Sequence, residues 1–393
     1  MRALEILHDE FREQLTFLHQ KRWQILWGAV HALIFGQRLW LTALGRALTS
    51  KAQPKHSIKA VDRLLGNKHL HRDRFRVART IVAWLVRRRA DVVILIDTFE
   101  IRHKVVMVTA SIAHDGRSFP IWSTTTGKLR LAASQCRRFL NELGRVLPAH
   151  CKPILVTDAG FESNWLEEVQ KRGWHYVARV RGQTKFLCKG KWVGCQDVYR
   201  LASGRAKNLG KFPYPKTRPQ ARRLVLSKLP TSRHRRIKTR RGPGNDTNYK
   251  AYRTNAHEPL LLATNLSCRP SAVVVIYKLR FQIEESFRDM KCHRWGWSLR
   301  HCLTRSRARL EILLLIAAIA LVVQQLVGIA ADGLGLARRH QANTVRKRRV
   351  LSFYTLGGLV LTGADAELVT VAALRSAIAE LRRGLLRLAG LRQ

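Results

Sequence analysis

Acidic residues are scarce in this chain. Its 393 residues include 26 Asp plus Glu against 72 Lys plus Arg, a formal net charge of +46. Such a chain binds polyanions at physiological salt almost regardless of fold. Nucleic acid is the expected partner, and an anionic membrane surface a distant second. Cysteine is also sparse: seven residues, an odd number, with no C-x-x-C pair. That disfavours a disulfide framework and suits a reducing cytoplasm. Cys292, His293, His301 and Cys302 form a C-H-x7-H-C cluster, but its spacing matches no common zinc template. No secretory signal is expected over Met1 to Gln20, where charged and apolar residues alternate at helical spacing. Long apolar runs are missing except at 312–331, which is uncharged and long enough to cross a bilayer. Gln324 and Gln325 interrupt that run, and no other segment resembles it. It reads as a buried core helix in preference to a membrane span.

What is present is a globular chain. A hydrophobic content of 46% and this length suffice for two or three domains with a substantial core. Residues 1–90 read as helices. Ser57 is expected to cap a helix over 58–65 that ends at Gly66-Asn67, with another from about Arg72 to Arg88. Two helices across a tight turn allow a helix-turn-helix, and equally any small helical bundle. The pattern then changes to strands. Val92 to Ile96 is wholly apolar, as in a strand buried on both faces, and it ends at Asp97. Strands over 105–113 and 117–125 flank the turn Asp115-Gly116. A helix over 129–147, a buried strand over 153–157 ending at Asp158, a helix over 161–172 and a strand over 174–179 follow. This is an α/β layered domain.

From 181 to 258 the composition shifts. Between Asp197 and Asp246 there is no acidic residue but fifteen Lys or Arg, with several prolines. The segment reads as an insertion of short strands and loops, too basic to be core. A buried strand resumes at Pro259 to Ala263. Beyond Asp332 the chain is helical and basic, and Val371, Leu374, Ile378, Leu381, Leu385 and Leu388 repeat at alternating gaps of three and four. That seam suits self-association or packing on the body of the protein. The expected layout is a helical DNA-binding region over 1–90, an α/β domain in two parts (91–180 and 259–332), the basic β-rich insertion (181–258) and a helical C-terminal region (333–393).

Two carboxylates and one helix carry the chemistry. Asp97 and Asp158 each follow an apolar strand, and in open α/β sheets ligand sites gather outside the carboxyl ends of strands. The run Tyr277 to Lys291 reads as one helix. Tyr277, Arg280, Glu284 and Lys291 lie at offsets of three, seven and fourteen from the first, so they fall within roughly 60° of one another. Ile276, Leu279, Ile283, Phe287 and Met290 give the same helix a buried side. Three carboxylates could converge on two divalent cations, with hard oxygen donors suited to Mg²⁺ or Mn²⁺ and to phosphodiester cleavage. Arg280 and Lys291 would then hold a DNA backbone, and Tyr277 would donate to a phosphate or stack on a sugar or base.

Tyr277-x2-Arg280-x3-Glu284-x6-Lys291 is similar, without a spacing error, to the Tyr-Arg-Glu-Lys signature of bacterial insertion-sequence DDE transposases. Ile96-Asp97-Thr98 and Val156-Thr-Asp158-Ala-Gly160-Phe161 resemble that family's first and second Asp motifs, and the resemblance runs from about residue 57 to 330. It implies a ribonuclease H-like mixed sheet flanked by helices, interrupted by a β-rich insertion. It implies Asp97, Asp158 and Glu284 as a triad holding two Mg²⁺ or Mn²⁺ ions, with Tyr277, Arg280 and Lys291 gripping the transposon end. It further implies cutting at terminal inverted repeats, joining of 3′ ends to target DNA, a homodimer in the synaptic complex, and a cytoplasmic, nucleoid-associated bacterial protein. Some members flip a base onto an aromatic residue of the insertion. Trp192, the only Trp there, is the candidate wedge, with an ordinary hairpin tryptophan as the alternative. The rival functions are a catalytically inactive DNA-binding descendant, a metal-dependent DNA nuclease, and a basic structural protein of nucleoid or ribosome.

Overall fold

In the computed structural model the described residues are 2–88, 91–101, 105–114, 116–127, 131–161, 163–228, 258–292, 296–342, 344–345 and 348–390. Five helices open the chain: α1 (Arg2–Gln14), α2 (Gln20–Gly36), α3 (Leu41–Arg46), α4 (Pro54–Leu65) and α5 (Lys68–Val86). Pro54 occupies the first turn of α4, where a missing N–H costs nothing. The helix therefore starts a turn before Ser57, which is buried within it and is not its cap. Asn67 accepts from Leu70 N at 2.9 Å and starts α5 earlier than the pattern suggested.

Three antiparallel strands follow, β1 (Asp91–Glu100), β2 (Val106–Ala113) and β3 (Ser118–Thr126), with β2 between the other two. β1 does not end at Asp97. Asp97 sits opposite Thr109, and pairing continues to Glu100 opposite Val106. The apolar run stops there, but the ladder is made by backbone groups and carries on past the charge. Next come α6 (Ala133–Val146), β4 (Lys152–Thr157), α7 (Ser163–Lys171) and β5 (His175–Val180), with β4 and β5 parallel. The basic segment holds the hairpin β6 (Lys185–Cys188) and β7 (Lys191–Gly194), the short α8 (Cys195–Tyr199), β8 (Lys207–Tyr214) and β9 (Gln220–Ser227). β10 (Leu260–Thr264) lies antiparallel between β5 and β9. Among the described residues the α-helices that follow are α9 (Pro270–Lys278), α10 (Phe281–Lys291), α11 (Arg307–Gly333), α12 (Ala337–His340), α13 (Phe353–Thr362) and α14 (Val371–Ala389). Apart from the β6–β7 hairpin, the strands make an eight-stranded mixed sheet flanked by helices, in keeping with a ribonuclease H-like fold.

The described residues divide into two compact units, one within Met1–Pro153 and Leu279–Gly390 and the other within Ile154–Lys278. The first is built around α11. By length and composition this helix could cross a membrane, yet 94% of its most apolar window is buried against protein. Its backbone touches α13: a methyl group on Gly357 would meet Gln324 O at 1.8 Å, and one on Gly328 would meet Phe353 O at 1.9 Å. Leu374, Leu381 and Leu385 of α14 are buried, and α14 packs on α11, α5 and β1. Much of the heptad seam is thus used within the chain.

In the second unit α9 packs on β5, β9 and β10. Part of the basic segment is core after all. Leu224, Val225 and Leu226 of β9 are fully buried. Arg222 is buried beside them, donating to Tyr214 O at 2.5 Å and Gln220 Oε1 at 2.9 Å, with the Glu167 carboxylate 3.8 Å away. The remainder of the segment, 229–257, lies outside the described residues.

Candidate active site

The helix carrying Glu284 is fixed in rotation by three anchors, one to the first residue of β3 and two to residues between β2 and β3. His114 N donates to Gln282 Oε1 at 2.8 Å, Ser118 N donates to Ser286 Oγ at 3.0 Å, and Arg117 Nε donates to Asp289 Oδ2 at 2.7 Å. Residues 282, 286 and 289 share one face at helical spacing, so Glu284 lies on roughly the opposite one. Burial raises the Asp289 carboxyl pKa more than the Arg117 guanidinium lowers it.

Turned that way, Glu284 meets β1 through an arginine. Arg280 donates from Nη2 to Glu284 Oε1 at 2.6 Å and from Nη1 to Asp97 Oδ2 at 3.5 Å. The Asp97 side chain is 14% exposed and that of Glu284 46%. Asp97 Oδ1 also accepts from Thr98 N at 2.7 Å. One guanidinium therefore holds together two carboxylates that are far apart in sequence. Glu285 and Asp289 are directed elsewhere, to Arg288 and Arg117 respectively.

Lys291 completes this cluster. Its Nζ lies 4.0 Å from the Phe99 ring centroid and 5.3 Å from that of Phe287. Burial lowers its pKa and Arg300 lowers it further, while Asp97 and Glu284 pull it back up. Phe281, 48% exposed, stacks 5.1 Å from the Arg280 guanidinium.

The sequence run 277–291 is not one continuous helix. It breaks between α9 and α10, where Gln282 N bonds Leu279 O and Ile283 N bonds Arg280 O in a tightened three-residue turn. Arg280, Glu284 and Lys291 belong to the first unit together with Asp97. Tyr277 ends the buried face of α9 in the second unit and is only 1% exposed. Asp158 also belongs to the second unit. It directly follows β4, as expected, and its Oδ1 accepts from Gly160 N at 2.9 Å. Trp192 pairs opposite Leu187 in the β6–β7 hairpin and is half-buried.

Phe99, Arg117, Phe281 and Arg300 were not singled out in the sequence. Phe99 gave a signal, lying two residues past Asp97 on the same side of the strand. Arg117 gave none, because its partner Asp289 is known only from the packing. Of the C-H-x7-H-C cluster that matched no zinc template, Cys302 is buried, His301 is exposed and His293 lies outside the described residues. Among the described residues no three His, Cys, Asp or Glu side chains converge. The chemistry available at Asp97 and Glu284 is that of hard carboxylate oxygens beside fixed cations, which fits Mg²⁺ or Mn²⁺ rather than a soft metal. No individual curated protein matches the chain. The sequence model of the family described as Transposase DDE domain matches residues 88–322, more than half of the 393, and the protein belongs to that family.

Proposed function

We propose that this chain is a DDE transposase of the Tyr-Arg-Glu-Lys type. It would cut DNA at the terminal inverted repeats of a bacterial insertion sequence and join the freed 3′ ends to target DNA. The observation that carries this reading is the shared Arg280, which brings Asp97 and Glu284 to one place from opposite ends of the matched segment. A bare pair of carboxylates repels, and the guanidinium holds them in position before any substrate arrives. Asp97 and Glu284, with Asp158 as the third carboxylate, would hold two Mg²⁺ or Mn²⁺ ions. Such ions supply an activated water and a stabilised leaving oxygen in an in-line displacement. Arg280 and Lys291 neutralise charge that builds on the phosphoryl oxygens. The chemistry balances simply: water oxygen bonds to phosphorus, the P–O3′ bond breaks, and the released 3′-hydroxyl takes the proton. That hydroxyl's oxygen then bonds to the phosphorus of a target phosphodiester, and the displaced target 3′ oxygen takes its proton. Tyr277 would have to emerge from its buried position to touch DNA. Trp192, on a hairpin, is the proposed base wedge, and a homodimer would hold the two ends.

The test uses the full chain and a duplex carrying the inverted repeat that flanks its coding region. Nicking at the repeat boundary with Mg²⁺, abolished by EDTA and by Glu284→Gln while DNA binding survives, is the expected result. Tight binding without cleavage in Mg²⁺ or Mn²⁺ would overturn the enzymatic reading.

A further inference from the structure

Away from Asp97 and Glu284, the first unit contains a wide groove of about 1130 Å³ walled by α1, α5 and α14. Five arginines line it: Arg76, Arg79 and Arg87 from α5 and its end, and Arg375 and Arg382 from α14. Among the described residues the only carboxylate in the lining is Glu10, which accepts from Trp84 Nε1 at 2.7 Å. Arg382 is fixed in the wall, donating to Trp84 O at 2.8 Å, and Arg76 lies 4.0 Å from the Phe17 ring.

The same helix shows how differently its other side is treated. Arg383 and Arg387 both pair with Glu380 at 2.7 Å. Among the described residues, no ion pair is made by Arg76, Arg79, Arg87 or Arg375. On α14 the acidic residue Glu380 thus pairs on the other side, while in the groove five guanidinium groups face the single carboxylate of Glu10. Gathering five guanidinium groups around one carboxylate costs folding stability through repulsion. An external polyanion would relieve that cost.

The groove's dimensions indicate which one. Arg76 to Arg87 spans about 16 Å along α5, and Arg375 to Arg382 about 10 Å along α14. Duplex DNA rises 3.4 Å per base pair, so this length faces about four to five base pairs of backbone. The groove is larger than the usual pocket for a small molecule, and guanidinium forks match phosphate oxygens.

We propose that this arginine groove is a second, non-catalytic DNA site, which holds the phosphodiester backbone of a duplex away from the carboxylate pair. The proposal rests on the DNA-handling reading above but not on catalysis. It identifies a contact that positions DNA without reading its sequence.

Affinity of the full chain for a short fluorescent duplex, measured in EDTA across about 50 to 200 mM salt, tests it. Replacing Arg79, Arg87 and Arg375 together with Ala should lower the slope of log affinity against log salt by about 2 to 3, at about 0.9 per lost phosphate contact. The matching triple Lys variant should keep most of the slope, which separates loss of charge from misfolding. A control triple in paired surface arginines (Arg138, Arg383 and Arg387 to Ala) should change the slope by less than about 1. A wild-type slope in the groove variant would overturn the proposal, as would an equal drop in the control. Because binding is read without metal, a chain that shows the groove effect yet never nicks DNA would refute the transposase reading alone. A chain that nicks DNA but shows no groove effect would refute the groove alone.

Discussion

Lys291 shows how a single residue can work against the fold and for the site. It is held between Phe99 and Phe287 with its pKa lowered, first by burial and then by Arg300. Between the lowered folded value and the ordinary one, the unfolded chain binds a proton that the folded chain does not. Stability therefore rises with pH across that window, and the penalty is fully present below it. Lys291→Met removes the charge and keeps the apolar stem. The variant should be more stable than wild type at neutral pH, with the advantage shrinking toward about pH 10. Urea unfolding at the two pH values checks this. Mg²⁺-supported cleavage should fall by about 10²-fold, as when one donor to a developing charge is removed. A variant that is less stable at neutral pH, or that cleaves normally, would show Lys291 to be structural.

At the scale of elements, α10 is held by a face that contains no catalytic candidate. Ser286 is fully buried, and its Oγ takes Ser118 N at 3.0 Å and lies 3.0 Å from Gln282 O. Ser286→Ala would leave that strand N–H without its helix partner, at a cost of about 1 to 3 kcal/mol in denaturant unfolding. Cleavage should fall with it, because the rotation of Glu284 depends on this face, while metal-free DNA affinity should hold. Unchanged stability would mean that the helix is fixed by apolar packing alone. The same helix marks what the sequence could reveal. Its apolar stripe was legible, and so were Arg280 and Glu284, one turn apart. The break after Lys278 was not: no Gly or Pro marks it, and the stripe reads straight through it. The division appears only in three dimensions, with α9 packed on β5, β9 and β10 and α10 on β1 to β3. Strand ends failed for a related reason. The apolar run ending at Ile96 located β1, but pairing through Glu100 is a property of the ladder rather than of side-chain polarity.

For the whole molecule, the balance of charge decides how salt acts. Screening weakens ion pairs such as Arg74 with Glu311 (3.0 Å) and Arg117 with Asp289 (2.7 Å). It also weakens repulsion among cations. Even if each of the 26 acidic residues found a partner, 46 of the 72 basic ones would have none. An exposed pair contributes at most about 1 kcal/mol, so repulsion within the majority should dominate. The melting temperature should therefore rise as monovalent salt is raised from about 10 mM to 0.15 M, where the screening length shrinks from about 30 to 8 Å. Duplex DNA at low salt should raise it further, since a ligand at 100 times its dissociation constant adds about 2.7 kcal/mol to the folded state. Thermal melts across a salt series, with and without duplex, make the comparison. A melting temperature that falls with salt would mean that the few acidic residues, placed in partly buried pairs, outweigh the surplus of cations. The arginine groove would then carry less repulsion for DNA to relieve than its composition implies.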